Sequence, residues 1–216
     1  MNIAIIGAGN VGRALATSFS RAGHQVVLAT RDPQDAGDAV AATGARTAAS
    51  VRGATEAADL VVLAIPFASV HDVAAEIRES VVGKPVVDVT NRMSFGANGV
   101  ETDGSSSNAE EIAALLPAAH VVKAFNTLFA SNQSDPILDG VQLDGFVAAD
   151  DADAKTMVLN LVESVGLNPV DAGPLVRARQ LEALAFMNIA LQLANNGAWR
   201  SGWKLVGAPV AVPAAA

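Results

Sequence analysis

Gly7, Gly9 and Gly12 stand in the segment IAIIGAGNVGRAL, where an apolar run meets the start of a helical pattern. Glycines at this spacing suit phosphate binding. The first permits a tight turn out of a strand, and the second lets the backbone approach a pyrophosphate with no Cβ in the way. The third lets the next helix pack closely on the sheet. Backbone N–H groups at the helix start, those of Asn10 and Val11 included, then face the phosphates with the positive end of the helix dipole behind them. The spacing alone is a weak signal. It gains weight from its setting: a strand over 3–6, a helix over 11–22 and a second strand over 26–30.

The end of that second strand selects the dinucleotide. Units that bind NAD place a carboxylate there to accept hydrogen bonds from the ribose hydroxyls. Here the segment VVLATRDP puts Thr30 and Arg31 at the position. A carboxylate would repel a 2′-phosphate, whereas a hydroxyl followed by a guanidinium can bind one. NADP(H) is therefore expected over NAD(H), with Asp32 and Asp35 offsetting part of the arginine's charge.

Further along, Ala64, Ile65 and Pro66 end a strand with small apolar surface suited to a ribose or nicotinamide face. Pro66 is equally an ordinary strand terminator. Asn91, Asn126 and Thr127 follow two later strands and could hydrogen-bond a carboxamide or a heterocyclic substrate; capping loops and helix starts is their other ordinary role. General acids are scarce. The chain has three histidines (His24, His71, His120) without metal-ligand spacing, no tyrosine and no GxSxG elbow. Lys123 and Lys155 are the only lysines between Pro85 and Trp203. No catalytic acid–base residue is expected. Direct hydride transfer between two bound ring systems fits best.

These residues need a frame to hold them. Short Val/Ile-rich runs alternate with Ala-rich amphipathic stretches through 59–65, 85–89 and 119–124, the pattern of a Rossmann-type, doubly wound and mainly parallel α/β sheet. A strand at 145–149 and a helix over 152–165 extend it. The segment 92–108 lacks periodicity and reads as an exposed loop. A long helix over 175–196 is expected to close on Gly197 as its C-cap. Its apolar stripe (Leu181, Leu184, Ala185, Asn188, Leu191, Gln192) should face a core or a dimer interface. The expected division is a Rossmann domain over 1–172, a helical substrate or dimer segment over 173–207 and a frayed tail over 208–216.

At 216 residues with formal charge −8, the chain suits a single soluble domain with a modest appendage and argues against nucleic-acid partners. Its lack of cysteine excludes disulfides, thiol catalysis and cysteine metal sites. No apolar run approaches the roughly 20 residues that cross a bilayer. With no leader-like start either, a cytoplasmic location is expected.

The segments IIGAGNVGRALA, VVLATRDP, VVLAIPF, VVDVTN, VVKAFNT and DAGPLVRARQLEALA occur in order over nearly the whole chain. In this the chain resembles the F420-dependent NADP oxidoreductases and the related STEAP-type dinucleotide domains. The resemblance implies NADP(H) in the crevice, with a deazaflavin (F420) or flavin stacked on the nicotinamide as hydride partner. It also implies a small C-terminal part completing the substrate pocket, and a homodimer. Thr127, Leu128 and Ala130 would then line the nicotinamide and deazaflavin site. Asn126 stands where archaeal members carry His, Phe129 where they carry Pro, and Asp35 near a basic residue of theirs. Arg92, Arg177, Arg179 and Lys204 are candidates to meet an acidic F420 tail. Other readings are a reductase of a small imine or carbonyl, and a non-catalytic NADP sensor.

Overall fold

A computed structural model of the protein describes residues 1–30, 40, 42–96, 99–101 and 105–207. Its first half comprises β1 (Asn2–Ile6), α1 (Asn10–Arg21), β2 (Gln25–Ala29), β3 (Arg46–Thr47), α2 (Val51–Ala57), β4 (Leu60–Leu63), α3 (Val70–Ile77) and β5 (Pro85–Asp88). There follow β6 (Ser94–Gly96), β7 (Gly99–Glu101), α4 (Asn108–Leu115), β8 (His120–Ala124), α5 (Ala130–Gln133), β9 (Ile137–Leu138) and β10 (Val141–Gln142). The chain then forms β11 (Asp144–Ala149), α6 (Ala152–Ser164), β12 (Asn168–Gly173) and α7 (Ala178–Ala194).

Eight strands form one sheet in the order β12-β11-β8-β5-β4-β1-β2-β3. From β3 to β8 every neighbouring pair is parallel, while β11 runs antiparallel to β8 and parallel to β12. The strand order reverses between β1 and β4, which opens a crevice at their carboxyl ends. Side chains along β1 alternate between two cores. Ile3 and Ile5 pack with Leu15 and Phe19 of α1 and Val158 of α6. Ala4 and Ile6 pack with Val51, Val73, Ile77 and Ile112 of α2, α3 and α4. With helices on both faces, β4 is buried at all four of its residues, which is why LVVL shows no polar alternation.

The structure departs from the sequence expectations in several places. Residues 92–108 are not a single irregular loop: β6 and β7 pair as a short antiparallel hairpin. The segment ends in a buried capping box at Ser107, whose hydroxyl accepts from Glu110 N–H while the Glu110 carboxylate accepts from Ser107 N–H. That S-x-x-E signature was present in the sequence. The edge strand β12 was not anticipated. Pro169 lies within it, paired with Gly145, at the sheet edge where a missing N–H is tolerated.

The helix expected from residue 175 opens as a 3₁₀ turn over Leu175–Arg177 and ends earlier, at Ala194. Its left-handed terminating residue is Asn196 (φ 47°), not Gly197; Gly197 N–H closes the motif on the Gln192 carbonyl. Leu181, Ala185 and Asn188 of the expected stripe are buried, but Leu191 is 49% exposed, and Glu182 takes a buried place instead. Among the described residues no helix is long and apolar enough to cross a membrane. The expected tail, 208–216, lies outside them.

Candidate active site

The turn from β1 into α1 separates the tasks of the three glycines. Gly7 has φ 110°, and a Cβ there would collide with the Ala64 carbonyl oxygen. A Cβ on Gly12 would collide with the Gly7 carbonyl oxygen. Gly9, at the N-cap of α1, is different: nothing lies within 4 Å of its Cβ position. Two glycines therefore serve packing, and the third borders open space beside the first N–H groups of a helix, which have no acceptor within the helix itself. Such a cradle suits a pyrophosphate.

Three adjoining cavities cross the carboxyl ends of the parallel strands. The first, of about 390 Å³, is lined by Gly7, Gly9, Arg13, Thr30, Ala64 and Pro66, among others. The second, of about 300 Å³, shares Gly9 and Ala64–Pro66 with it and adds Asn10, Val11, Val89, Thr90 and Asn91. The third, of about 150 Å³, shares Val11 and Asn91 with the second and is closed by Asn126–Ala130 and by Ala185, Asn188 and Ile189. The groove thus runs from the end of β2, over the glycine turn, to a pocket between β8 and α7. Arg13, unremarked in the sequence, lies in its first part, and its Nε donates to the Ala8 carbonyl at 2.7 Å.

Backbone strain shapes the last pocket. Phe125, directly after β8, has φ 61°, a conformation that bulky residues rarely adopt. It is held there from two sides: its ring packs edge-on to Phe19 at 5.5 Å, and its carbonyl accepts from Gln133 Nε2 at 2.7 Å. The kink turns the chain so that Asn126, Thr127 and Leu128, all buried, line the pocket. Asn126 Nδ2 donates to Asn91 Oδ1 and to the Leu181 carbonyl, both at 2.9 Å.

Beneath this pocket lies a cluster that sequence reasoning missed. Lys123, wholly buried on β8, donates from Nζ to Asp88 Oδ2 at 2.7 Å, to Glu182 Oε1 at 2.8 Å and to the Thr90 carbonyl. Glu182 also accepts from Asn108 N–H and Arg92 N–H, each at 2.9 Å. Asp88 Oδ1 accepts from Thr90 N–H at 2.8 Å. Burial pushes the Glu182 carboxyl above the ordinary carboxylate value, with Lys123 pulling the other way. The available signal was a charged residue at the heart of each of three motifs, VVDVTN, VVKAFNT and RQLEALA.

The structure brings Gly7, Gly9, Asn10, Val11, Thr30, Ala64, Ile65, Pro66, Asn91, Asn126, Thr127, Leu128 and Ala130 to this one groove. Gly12 lies just beneath it, against Gly7. Arg31, Asp32 and Asp35 fall outside the described residues. Two of the basic candidates, Arg92 and Arg179, meet adjacent carboxylates of α4, and the partner of Lys204 lies elsewhere. Arg179 makes a paired contact with Glu110, Arg92 meets Glu111, and Lys204 meets Asp144. His24 lies at the opposite end of the sheet, against Ser164.

A doubly wound sheet, with a glycine cradle at its switch point and a groove leading to a second pocket, defines a Rossmann-type nucleotide-dependent oxidoreductase. The comparisons carry the assignment further. Residues 2–92 match the family described as NADP oxidoreductase coenzyme F420-dependent. The chain is 32% identical over 213 residues to the F420-dependent NADP reductase of Methanothermobacter thermautotrophicus, covering 90% of each chain. It is 29% identical over 183 residues to the metalloreductase STEAP3 of Rattus norvegicus, covering 84% of this chain and 36% of that one. A solved structure from Arthrobacter sp. FB24, provisionally assigned as an F420-dependent NADP reductase, superposes with a TM-score of 0.85 at 30% identity, over 95% of this chain and 99% of that one. The chain belongs to the F420-dependent NADP oxidoreductase family and is an NADP-dependent oxidoreductase.

Proposed function

We propose that the protein passes hydride between NADPH and a deazaflavin of the F420 type, with flavins as weaker partners. The observation that carries this reading is the lining of the last pocket. It consists of Val11, Asn91, Asn126–Ala130, Ala185, Asn188 and Ile189, and no side chain among them titrates near neutrality. A carbonyl or imine reductase must deliver a proton as hydride transfer builds a localised alkoxide or amide anion. A deazaflavin or flavin instead spreads the added electron pair over its pyrimidine part and can take its proton from water, so the protein need only align the rings.

When bound, the dihydronicotinamide would supply hydride from its C4 carbon to the electrophilic central-ring atom of the acceptor, a carbon in a deazaflavin and a nitrogen in a flavin. The protein's own residues do the rest. The Gly9 cradle and the α1 start hold the pyrophosphate, and Thr30 with Arg31 meets the 2′-phosphate. Ala64, Ile65 and Pro66 pack on the nicotinamide ribose. Asn91, Asn126, Thr127, Leu128 and Ala130 would hold the acceptor ring against the nicotinamide and keep out water. The working unit is a homodimer, a reading supported by Met187, Leu191 and Leu193, each about half exposed on α7. Light scattering of the protein and of Met187→Glu tests that arrangement.

Activity is tested by anaerobic oxidation of NADPH with F420, FMN, FAD and riboflavin in separate reactions, beside a cyclic imine and a simple ketone. Fastest oxidation with F420 is expected. Reduction of the imine or ketone without any flavin would overturn the reading. So would tight NADPH binding with no turnover.

A further inference from the structure

We propose that the buried Asp88–Lys123–Glu182 cluster is a positioning device for Asn126, keeping the Asn126 carbonyl oxygen as an acceptor for an N–H donor on the bound ring system. This rests on the ring-to-ring reading above. The donor class is an imide N–H, found on the pyrimidine part of a deazaflavin or flavin, so the bond is made to the acceptor ring and not to NADPH.

The orientation of the Asn126 amide follows from chemistry. The Leu181 carbonyl can only accept, so the group facing it must be Nδ2, and it lies 2.9 Å away. Oδ1 is thereby turned elsewhere. It is buried and has no partner among the described residues. A buried acceptor left unfilled is costly, and native structures rarely tolerate one without a use for it. Asn126 is 6% exposed and lines the pocket beside Asn91 and Thr127.

Each anchor of that amide adjoins a member of the cluster. Leu181 directly precedes Glu182. Asn91, the other acceptor for Nδ2, has both neighbouring residues clamped: Lys123 holds the Thr90 carbonyl and Glu182 holds the Arg92 N–H. Asn126 itself follows Lys123 by three residues, through the kink at Phe125. A cluster that only docked α7 onto the sheet would need no charge, because apolar residues of similar volume pack helices at least as well. Beyond their mutual contact, Lys123 reaches the Thr90 carbonyl and Glu182 the Arg92 N–H, one on each side of Asn91, while Glu182 also accepts from Asn108 N–H at the start of α4. Fixed buried ions suit a site where a small shift of an amide decides how an acceptor ring sits.

The test compares Glu182→Gln with Asn126→Ala and with the double variant. Glu182→Gln is expected to raise KM for F420 about tenfold, with kcat within about threefold and the NADPH Kd within about twofold. In the Asn126→Ala background the same substitution should add nothing further. Additive effects, or a parallel loss of NADPH affinity, would overturn the proposal. Should Glu182→Gln fail to fold, the neutral triple variant Asp88→Asn/Lys123→Met/Glu182→Gln takes its place with the same expectations. A readout without ligand separates this inference from the assigned reaction. The side-chain amide resonances of Asn126, identified by their loss in Asn126→Ala, should shift in Glu182→Gln. Unmoved resonances would sink the positioning role, even if F420 proves to be the acceptor. Shifted resonances in an enzyme that ignores F420 would uphold it while the reaction is reassigned.

Discussion

Gly9 and Gly12 share a motif but should fail differently when replaced. A side chain on Gly9 enters open space, so Gly9→Val is expected to keep its circular dichroism while losing both NADPH and NADH in titrations. A side chain on Gly12 meets the Gly7 carbonyl, so Gly12→Ala should lower the thermal midpoint by forcing α1 off the turn. Arg31→Ala should weaken NADPH by about 1.5–3 kcal/mol and leave NADH nearly unchanged, as expected for a charge-assisted bond to the 2′-phosphate. Equal losses would detach Arg31 from that phosphate. At the far end, Ala130→Trp should fill the small third cavity and suppress single-turnover hydride transfer while sparing NADPH binding. The glycines and asparagines were legible in sequence because their spacing and strand-end placement are local. Lys123 was not, because its burial depends on two carboxylates far from it in the chain.

Helix α7 is tied to the sheet by its first turns. Arg179 donates from Nε and Nη2 to the two oxygens of Glu110 at 2.8 and 2.7 Å, and Glu110 in turn closes the capping box of α4. The Arg179 guanidinium, with help from Ser107, holds the Glu110 carboxyl below its ordinary value. A depressed carboxylate contributes stability that is present above its unfolded-state value and lost as pH falls through the folded one. Glu110→Gln should therefore lower the unfolding midpoint at neutral pH, and the gap from the parent should close as pH falls below the ordinary carboxylate range and through the lowered folded value. Glu182 has the opposite sign. Its raised value means that the fold keeps the proton longer than the unfolded chain does, so its contribution to stability falls as pH rises from the ordinary carboxylate range through the folded value. Glu182→Gln should flatten that part of the stability profile, read by denaturant titration across pH.

At the scale of the molecule, the strand order brings three distant motifs side by side. β5 and β8 are neighbours, so Asp88 pairs with Lys123 in the ladder, and the connection through β12 returns α7 over them. One groove results, with a nucleotide end and an acceptor end. The titration-free lining of the acceptor end predicts a kinetic signature. With NADPH deuterated at the transferring C4 position, single-turnover hydride transfer should show a clear isotope effect and a nearly flat profile between about pH 6 and 8. A steep profile abolished by replacing one histidine would return the carbonyl or imine reading.

The sequence by itself determined the parallel α/β frame, the glycine turn and most strand ends, because period-2 and helical patterns and turn residues act over a few positions. It also carried the capping box at Ser107, hidden in a polar stretch that looked irregular. Only the tertiary structure decided that Gly9 faces open space while Gly7 and Gly12 face backbone, that β11 turns antiparallel, and that β12 is a strand at all. It alone buried Lys123 between Asp88 and Glu182. A lone charge in an apolar strand becomes tolerable only when the fold delivers its counter-ions, and no local pattern records where those come from.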